Sequence, residues 1–263
     1  ITLGKNTSYY ATALHCLAKY TSNLGNYNDA LIMEKEASEI RAQTLGKEHV
    51  GYALSLDKQA LYYSLLGNYA NAIQISKQAI EIVKKGYGEQ DPTYAQLLHN
   101  LAHYNALKGD FSQAINILKE SLPLTEALHG KSSEYASSLH NLSLMYSAIG
   151  NYQEAIVIEK EALIIMEKIF GNEHPTYGTC LAGIAHLYSD LGNYDEAVNI
   201  EKKALEITKK HYGSEHPEYA GRLHKLAQYY SNMNNYPEAI KIEQKALSIW
   251  ERALGKNSPE YSS

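Results

Sequence analysis

The sequence predicts an all-α fold, a solenoid of stacked helix–turn–helix repeats, and three observations predict it. First, Gly-Asn-Tyr recurs at Gly25, Gly67, Gly150 and Gly192, with worn copies at Gly109-Asp110-Phe111 and Asn234-Asn235-Tyr236; successive marks lie 42 residues apart, with one interval of 41. Second, a parallel series of glycines runs through Gly4, Gly46, Gly88, Gly130, Gly171, Gly213 and Gly255. Third, the segments between the marks carry apolar residues at helical spacing. A fixed period of 20–50 residues is the mark of an array whose units pack only on their neighbours.

The repeats are expected at approximately 8–48, 50–90, 92–131, 133–173, 175–215 and 217–257. The fifth shows the logic best. Tyr177, Leu181, Ile184, Ala185 and Tyr188 form one face of a first helix, helix A. Gly192 stops it, because glycine tolerates positive φ at a helix C-terminus. Asp195 and Glu196 open a second helix, helix B, where the macrodipole favours acids, and Lys209-Lys210 close it with the opposite sign. Its inward residues are Ala197, Ile200, Ala204, Leu205 and Ile207. The connector Glu215-His216-Pro217 places a proline at the next helix start. His49, His174 and His216 in such connectors are expected to make helix-start contacts, with the adjacent Glu48, Glu173 and Glu215 favouring the helix N-terminus.

The other repeats keep this plan. Ala18, Ala60, Ala102, Ala185 and Ala227 share one register of helix A, and Ala30, Ala72, Ala114, Ala155, Ala197 and Ala239 one register of helix B. Alanine at both lets the two helices cross closely, with the aromatic after Gly-Asn filling the corner. The third repeat departs from the plan. Pro123 falls inside helix B, where a missing N–H and a ring clash kink or end a helix, and the same repeat holds the 41-residue interval. A local irregularity is therefore expected around residues 121–135.

Composition narrows the function. The chain is 44% hydrophobic and 20% charged with a net charge of −5, as in a folded soluble protein. Its arginines are Arg41, Arg222 and Arg252, so the clustered cations of a phosphate-tracking surface are missing and no nucleic-acid partner is expected. No apolar run approaches the roughly 20 residues of a membrane span, so no membrane partner is expected. Cys16 and Cys180 sit in repeats that do not touch, which argues for free thiols and a cytoplasmic setting. No catalytic constellation, phosphate loop or ligand cluster stands outside the repeat phase, so neither an enzymatic activity nor a cofactor is expected.

The pattern Leu139, Leu142, Tyr146, Gly150, Tyr152, Ala155, Ala162 resembles the tetratricopeptide repeat. The longer period and the Leu45-Gly46-Lys47-Glu48-His49 connector resemble its 42-residue variety, found in kinesin light chains, nephrocystin-like proteins and many bacterial arrays. The resemblance covers essentially the whole chain and implies a right-handed superhelical α-solenoid. It also implies a protein-interaction scaffold whose concave groove, lined by the A helices, binds an extended peptide or partner segment. An alternative is a regulatory or sensor array of a larger multidomain effector, with a caspase-like protease or ATPase domain. The aromatic position of helix B in shorter repeats is Glu34, Glu159, Glu201 and Glu243 here, so that face is expected to be solvated.

Carried onto this sequence, the groove holds His15, Lys19, Asp57, Leu61, His99, Asn100, His103, His140, Asn141, Leu144, His186, His224 and Gln228. Histidine recurs at one register as His15, His99, His140 and His224, and few fixed charges accompany it. The clamp of Lys, Asn and Arg that grips a C-terminal carboxylate in chaperone-type arrays is missing. Asn100 and Asn141 match groove asparagines that hold peptide backbone in kinesin light chains. An extended, weakly charged partner segment is expected. Unperturbed imidazoles titrate near pH ~6.5, so partner affinity is expected to vary about one pH unit either side of it. His99 and His103 have i, i+4 spacing suited to Zn²⁺, but no third ligand is placed to complete a site. The two ends fall in matching repeat phase without a polar capping helix, so a fragment of a longer protein and end-to-end self-association are expected.

Overall fold

The structure, a computed structural model, describes residues 7–254, leaving out the Leu254 side chain, and all its regular elements are α-helices. The expectations about Gly4, Gly255 and the chain ends lie outside the described residues. By its contacts the chain divides into two compact units, Ile1–Gly130 and Lys131–Ser263.

The first unit holds three helix pairs: α1 (Ser8–Asn23) with α2 (Tyr27–Thr44), α3 (Val50–Leu65) with α4 (Tyr69–Tyr87), and α5 (Pro92–Lys108) with α6 (Phe111–His129). The second holds α7 (Ser133–Ala148) with α8 (Tyr152–Phe170), α9 (Pro175–Asp190) with α10 (Tyr194–Tyr212), and α11 (Pro217–Asn232) with α12 (Tyr236–Leu254). Within each unit every helix packs on its hairpin partner, and each B helix packs on the A helix of the next pair. Each unit is thus a run of stacked helix–turn–helix repeats.

Gly-Asn-Tyr is two helix ends joined. Glycine takes positive φ, +83° at Gly192, and Asn234 adopts the same left-handed backbone at φ 60° where the last copy lacks glycine. The residue after it caps helix B. Side chains of Asn68, Asp110, Asn151 and Asn193 accept hydrogen bonds of 3.3–3.4 Å from the backbone N–H three residues on. Helix A is capped from the connector, where Nδ1 of His49, His174 and His216 accepts from Gly51, Thr176 and Glu218 N–H at 2.9, 3.2 and 3.2 Å. The neighbouring acids pair with the far end of helix B of the following repeat, Glu173 with Lys210 at 2.5 Å and Glu215 with Arg252 at 2.7 Å.

The alanines of both registers are buried, most at 0% exposure, which closes the helix crossings. Ser143 replaces alanine in α7 and donates to the Ala155 carbonyl at 3.0 Å, across that same crossing. Between pairs, Lys35, Lys160 and Lys202 place their ammonium groups 5.1, 5.2 and 5.5 Å from the rings of Tyr63, Tyr188 and Tyr230. The core clusters of Leu, Ile and Tyr supply the main driving force, about 1.5–3 kcal/mol for each large side chain buried.

Helix α6 does not end at Pro123; it spans 19 residues, as do α4, α8 and α10. The proline is exposed and removes the N–H that would reach the Lys119 carbonyl. Flanking hydroxyls bind nearby carbonyls instead, Ser121 donating to Leu118 and Thr125 to Ser121, both at 3.0 Å. Cys16 and Cys180 are both free thiols. Burial, with the charge of Glu159, pushes the Cys180 pKa up to about 12.

Candidate partner-binding face

Helix α-periodicity places one column of residues on every A helix, and the B helix of the same repeat answers it 19 positions later. His15 Nδ1 meets Glu34 Oε2 at 2.9 Å, His140 Nδ1 meets Glu159 Oε1 at 2.8 Å, and His224 Nδ1 meets Glu243 Oε1 at 2.8 Å. The expectation that the glutamate column is solvated is overturned. Glu34, Glu159 and Glu201 are 0%, 1% and 0% exposed, and only Glu243 stays partly open, its side chain at 40%. The physical reason is stacking: the A helix of the next repeat covers the face that carries the glutamate. Such burial is tolerated because each paired carboxylate accepts an imidazole N–H.

The pairs fix the imidazoles. Nδ1–H donates to the carboxylate, and the His15, His140 and His224 side chains stay 27%, 37% and 28% exposed. At His224, Nε2 lies 2.8 Å from the Gln228 amide, which donates to its lone pair. The hydrogen bond to Glu159 raises the His140 pKa; burial opposes it and the Glu159 charge adds to it. Glu34 has a second cation, Arg41 Nη1 at 3.7 Å, and Arg41 also donates to Ser55.

In the remaining repeats other residue types fill one register or the other. His99 faces the register of Leu118, which is buried, and its pKa is lowered by burial and by the His103 charge. Asp57 stands in the histidine register of the second repeat and is buried. It accepts from Asn100 Nδ2 at 2.8 Å and lies 3.5 Å from Lys58 Nζ. The Asn100 amide is therefore already engaged within the first unit. In the fifth repeat Ala182 takes the histidine register opposite Glu201. Tyrosines of the following repeat line the acid column as well. Burial first, and then Glu34, pushes Tyr62 up to about 12; burial with Asp57 raises Tyr104, and burial with Glu201 raises Tyr229.

The expected groove residues therefore separate into two groups. His15, Lys19, His99, His103, His140, Asn141, Leu144, His186, His224 and Gln228 are half-buried or exposed on the A helices, while Asp57 is buried and Leu61 packs partly into the core. His186 lies 3.8 Å from Asp190. Sequence reasoning missed Glu34, Glu159, Glu243, Arg41 and Arg222. The constant offset of 19 between the two columns was the available signal. Among the described residues, no three His, Cys, Asp or Glu side chains converge as a metal-ligand set.

The tetratricopeptide repeat model matches residues 9–85, 59–127, 93–168 and 134–210, and a second tetratricopeptide repeat model matches 220–260. The chain belongs to the tetratricopeptide repeat family. This tetratricopeptide array is thereby of the protein-interaction scaffold class, with protein partners. It is similar to the nearly identical TPR-like repeats of a Podosopora anserina chain named as a kinesin light chain, at TM-score 0.71 and 24% identity over 79% of this chain and 99% of that one. It is also similar to BtubC (BKLC) of P. vanneervenii, at TM-score 0.70 and 17% identity over 95% and 94% of the two chains. A third similar structure is a Rap protein complexed with Competence and Sporulation Factor, at TM-score 0.58 and 17% identity over 93% and 75%. At these identities the likeness is one of fold. No curated protein sequence matches the array significantly. No described helix is long and apolar enough to cross a membrane.

Proposed function

We propose that the A-helix face of the second unit holds an extended segment of a protein partner, with the carboxylate-fixed imidazoles of His140 and His224 as its contact points. The observation that carries this reading is the repetition of one geometry: His140 and His224, and His15 in the first unit, are each tied through Nδ1 at 2.8–2.9 Å and each keep a partly exposed ring. A fixed ring loses little freedom when a partner binds, so its hydrogen bond is not offset by ordering. Neutral Nε2 accepts from a backbone N–H; protonated, it donates to a carbonyl. Both groups recur along any extended chain, which suits contacts at His140 and His224, two repeats apart in the sequence. Exposed Leu144 adds an apolar contact beside His140.

The test is selection of binders from a random peptide display library on the whole chain, followed by affinity measurements on His140→Ala and His224→Ala. Selected peptides are expected to lose roughly 5- to 30-fold in affinity with either variant, corresponding to about 1–2 kcal/mol per contact. Peptides that bind both variants as tightly as the parent would refute the reading.

A further inference from the structure

The first and last described helices each leave open a face that the other repeats cover. On α1 this face carries Leu17, Tyr20 and Leu24, which are 48%, 62% and 80% exposed and share one stripe by their helical spacing. On α12 it carries Ile240, Glu243 and Leu247; Ile240 is 58% exposed and Leu247 38%. Apolar side chains gathered on one exposed face mark an interaction surface.

The repeat period identifies what covers such faces elsewhere. Tyr20 shares its register with Tyr62 and Tyr229, and Ile240 shares its register with Leu31 and Val198. Inside each unit these two registers meet across the seam between one repeat and the next. Tyr62 of α3 lies in one core cluster with Leu31 of α2, and Tyr229 of α11 in one with Val198 of α10. All four are only 2–7% exposed. The α1 stripe therefore has the side chains that a B helix receives, and the α12 stripe has those that an A helix covers.

We propose that a second copy of this chain lays its α1 on α12, with Tyr20 and Leu17 against Ile240, so that the seam between copies repeats the seam between repeats. The contact joins two different faces. Each copy thus keeps one of them open for the next copy, and the contact is heterologous. Glu243 then comes under an A helix, as Glu34 and Glu201 do, and the bond it already receives from His224 at 2.8 Å offsets its loss of water. The α1 stripe brings no charge against it. One element of the internal seams is missing. Lys35 on the Tyr63 ring and Lys202 on the Tyr230 ring tie those seams, whereas the same registers on α12 and α1 hold Gln244 and Thr21. The seam between copies rests on apolar contact, which makes it weaker than the internal ones and reversible.

The test is sedimentation of the 263-residue chain from about 10 µM to about 1 mM, with Tyr20→Glu and Ile240→Glu as the two variants. Both positions are exposed, so both variants are expected to fold, which circular dichroism checks. Glutamate at both keeps the two altered faces from attracting each other. Wild type is expected to grow past the mass of a dimer as concentration rises, and each variant alone to associate at least tenfold more weakly. Mixed in equal amounts, the two variants are expected to form a one-to-one dimer and nothing larger, because one intact α12 meets one intact α1. A wild type that stays monomeric, or that stops at a dimer, overturns the proposal. So does either variant associating as wild type does, or a mixture that fails to pair.

Discussion

Replacing Glu201 by Gln should make the second unit more stable, and the gain should grow with pH. The carboxyl is held at about 7 in the folded chain against an ordinary 4.5, because burial disfavours its charge more than Arg222 and Lys225 favour it. Below pH ~4.5 the group is protonated in both the folded and unfolded chain and contributes no pH dependence. Between about 4.5 and 7 the unfolded chain has released a proton that the folded chain retains, so wild-type stability falls by about 1.4 kcal/mol per pH unit. Above about 7 the loss is complete, and the two-and-a-half-unit shift corresponds to about 3 kcal/mol. Glutamine cannot ionise, so this pH dependence is absent from the variant. Its own buried amide adds an offset that does not vary with pH, and the informative quantity is therefore the difference between the two proteins as a function of pH. Urea unfolding from pH 4.5 to 8.5, followed by the fluorescence of Trp250, reports it, since the chain has one tryptophan and it is buried in the second unit against Tyr219 and Ala246. The expected curve rises by about 3 kcal/mol in favour of the variant and levels off near pH 8. A difference that stays flat, or that turns against the variant as pH rises, would refute the reasoning that Glu201 is an unpaired buried acid.

Two further outcomes follow from the same physics. His140 has a folded pKa raised above its ordinary value, chiefly by its hydrogen bond to Glu159, so its stabilising contribution is complete below pH ~6.5 and disappears as pH rises through the folded value; His140→Gln should therefore cost more at pH 5.5 than at pH 8.5, measured by the same Trp250 unfolding series. Pro123→Ala restores the backbone donor for the Lys119 carbonyl within an otherwise continuous helix, and a gain approaching the roughly 3 kcal/mol by which proline disfavours a helix interior is expected in the unfolding of the first unit, followed by circular dichroism.

The sequence read alone carried the helix pairs, because what starts and stops a helix is local. Gly192 supplies the left-handed residue, Asn193 the capping oxygen and Tyr194 the first helical position, and all three are consecutive. His216 caps α11 through a bond to the N–H only two residues away. The alanine registers were equally legible, since close helix crossing within one hairpin demands a small side chain whatever lies outside. At Pro123 local and surrounding forces oppose each other: the local rule against proline is real, yet α6 runs through it to His129, because packing of the surrounding helix outweighs one missing hydrogen bond.

The carboxylate column belongs to the tertiary structure. Glu34, Glu159 and Glu201 read as a solvated stripe because a glutamate on a helix flank is usually solvated, and nothing within their own helix says otherwise. Their burial is decided by the next repeat, whose A helix covers that flank, and the tolerance of Glu34 and Glu159 by a histidine 19 residues earlier that their own hairpin brings to within 2.8–2.9 Å. Periodicity determined where each helix lies along the chain. Only packing decided which of its polar residues lose water, which histidines are held by a carboxylate, and which buried glutamate, Glu201, has no histidine opposite it.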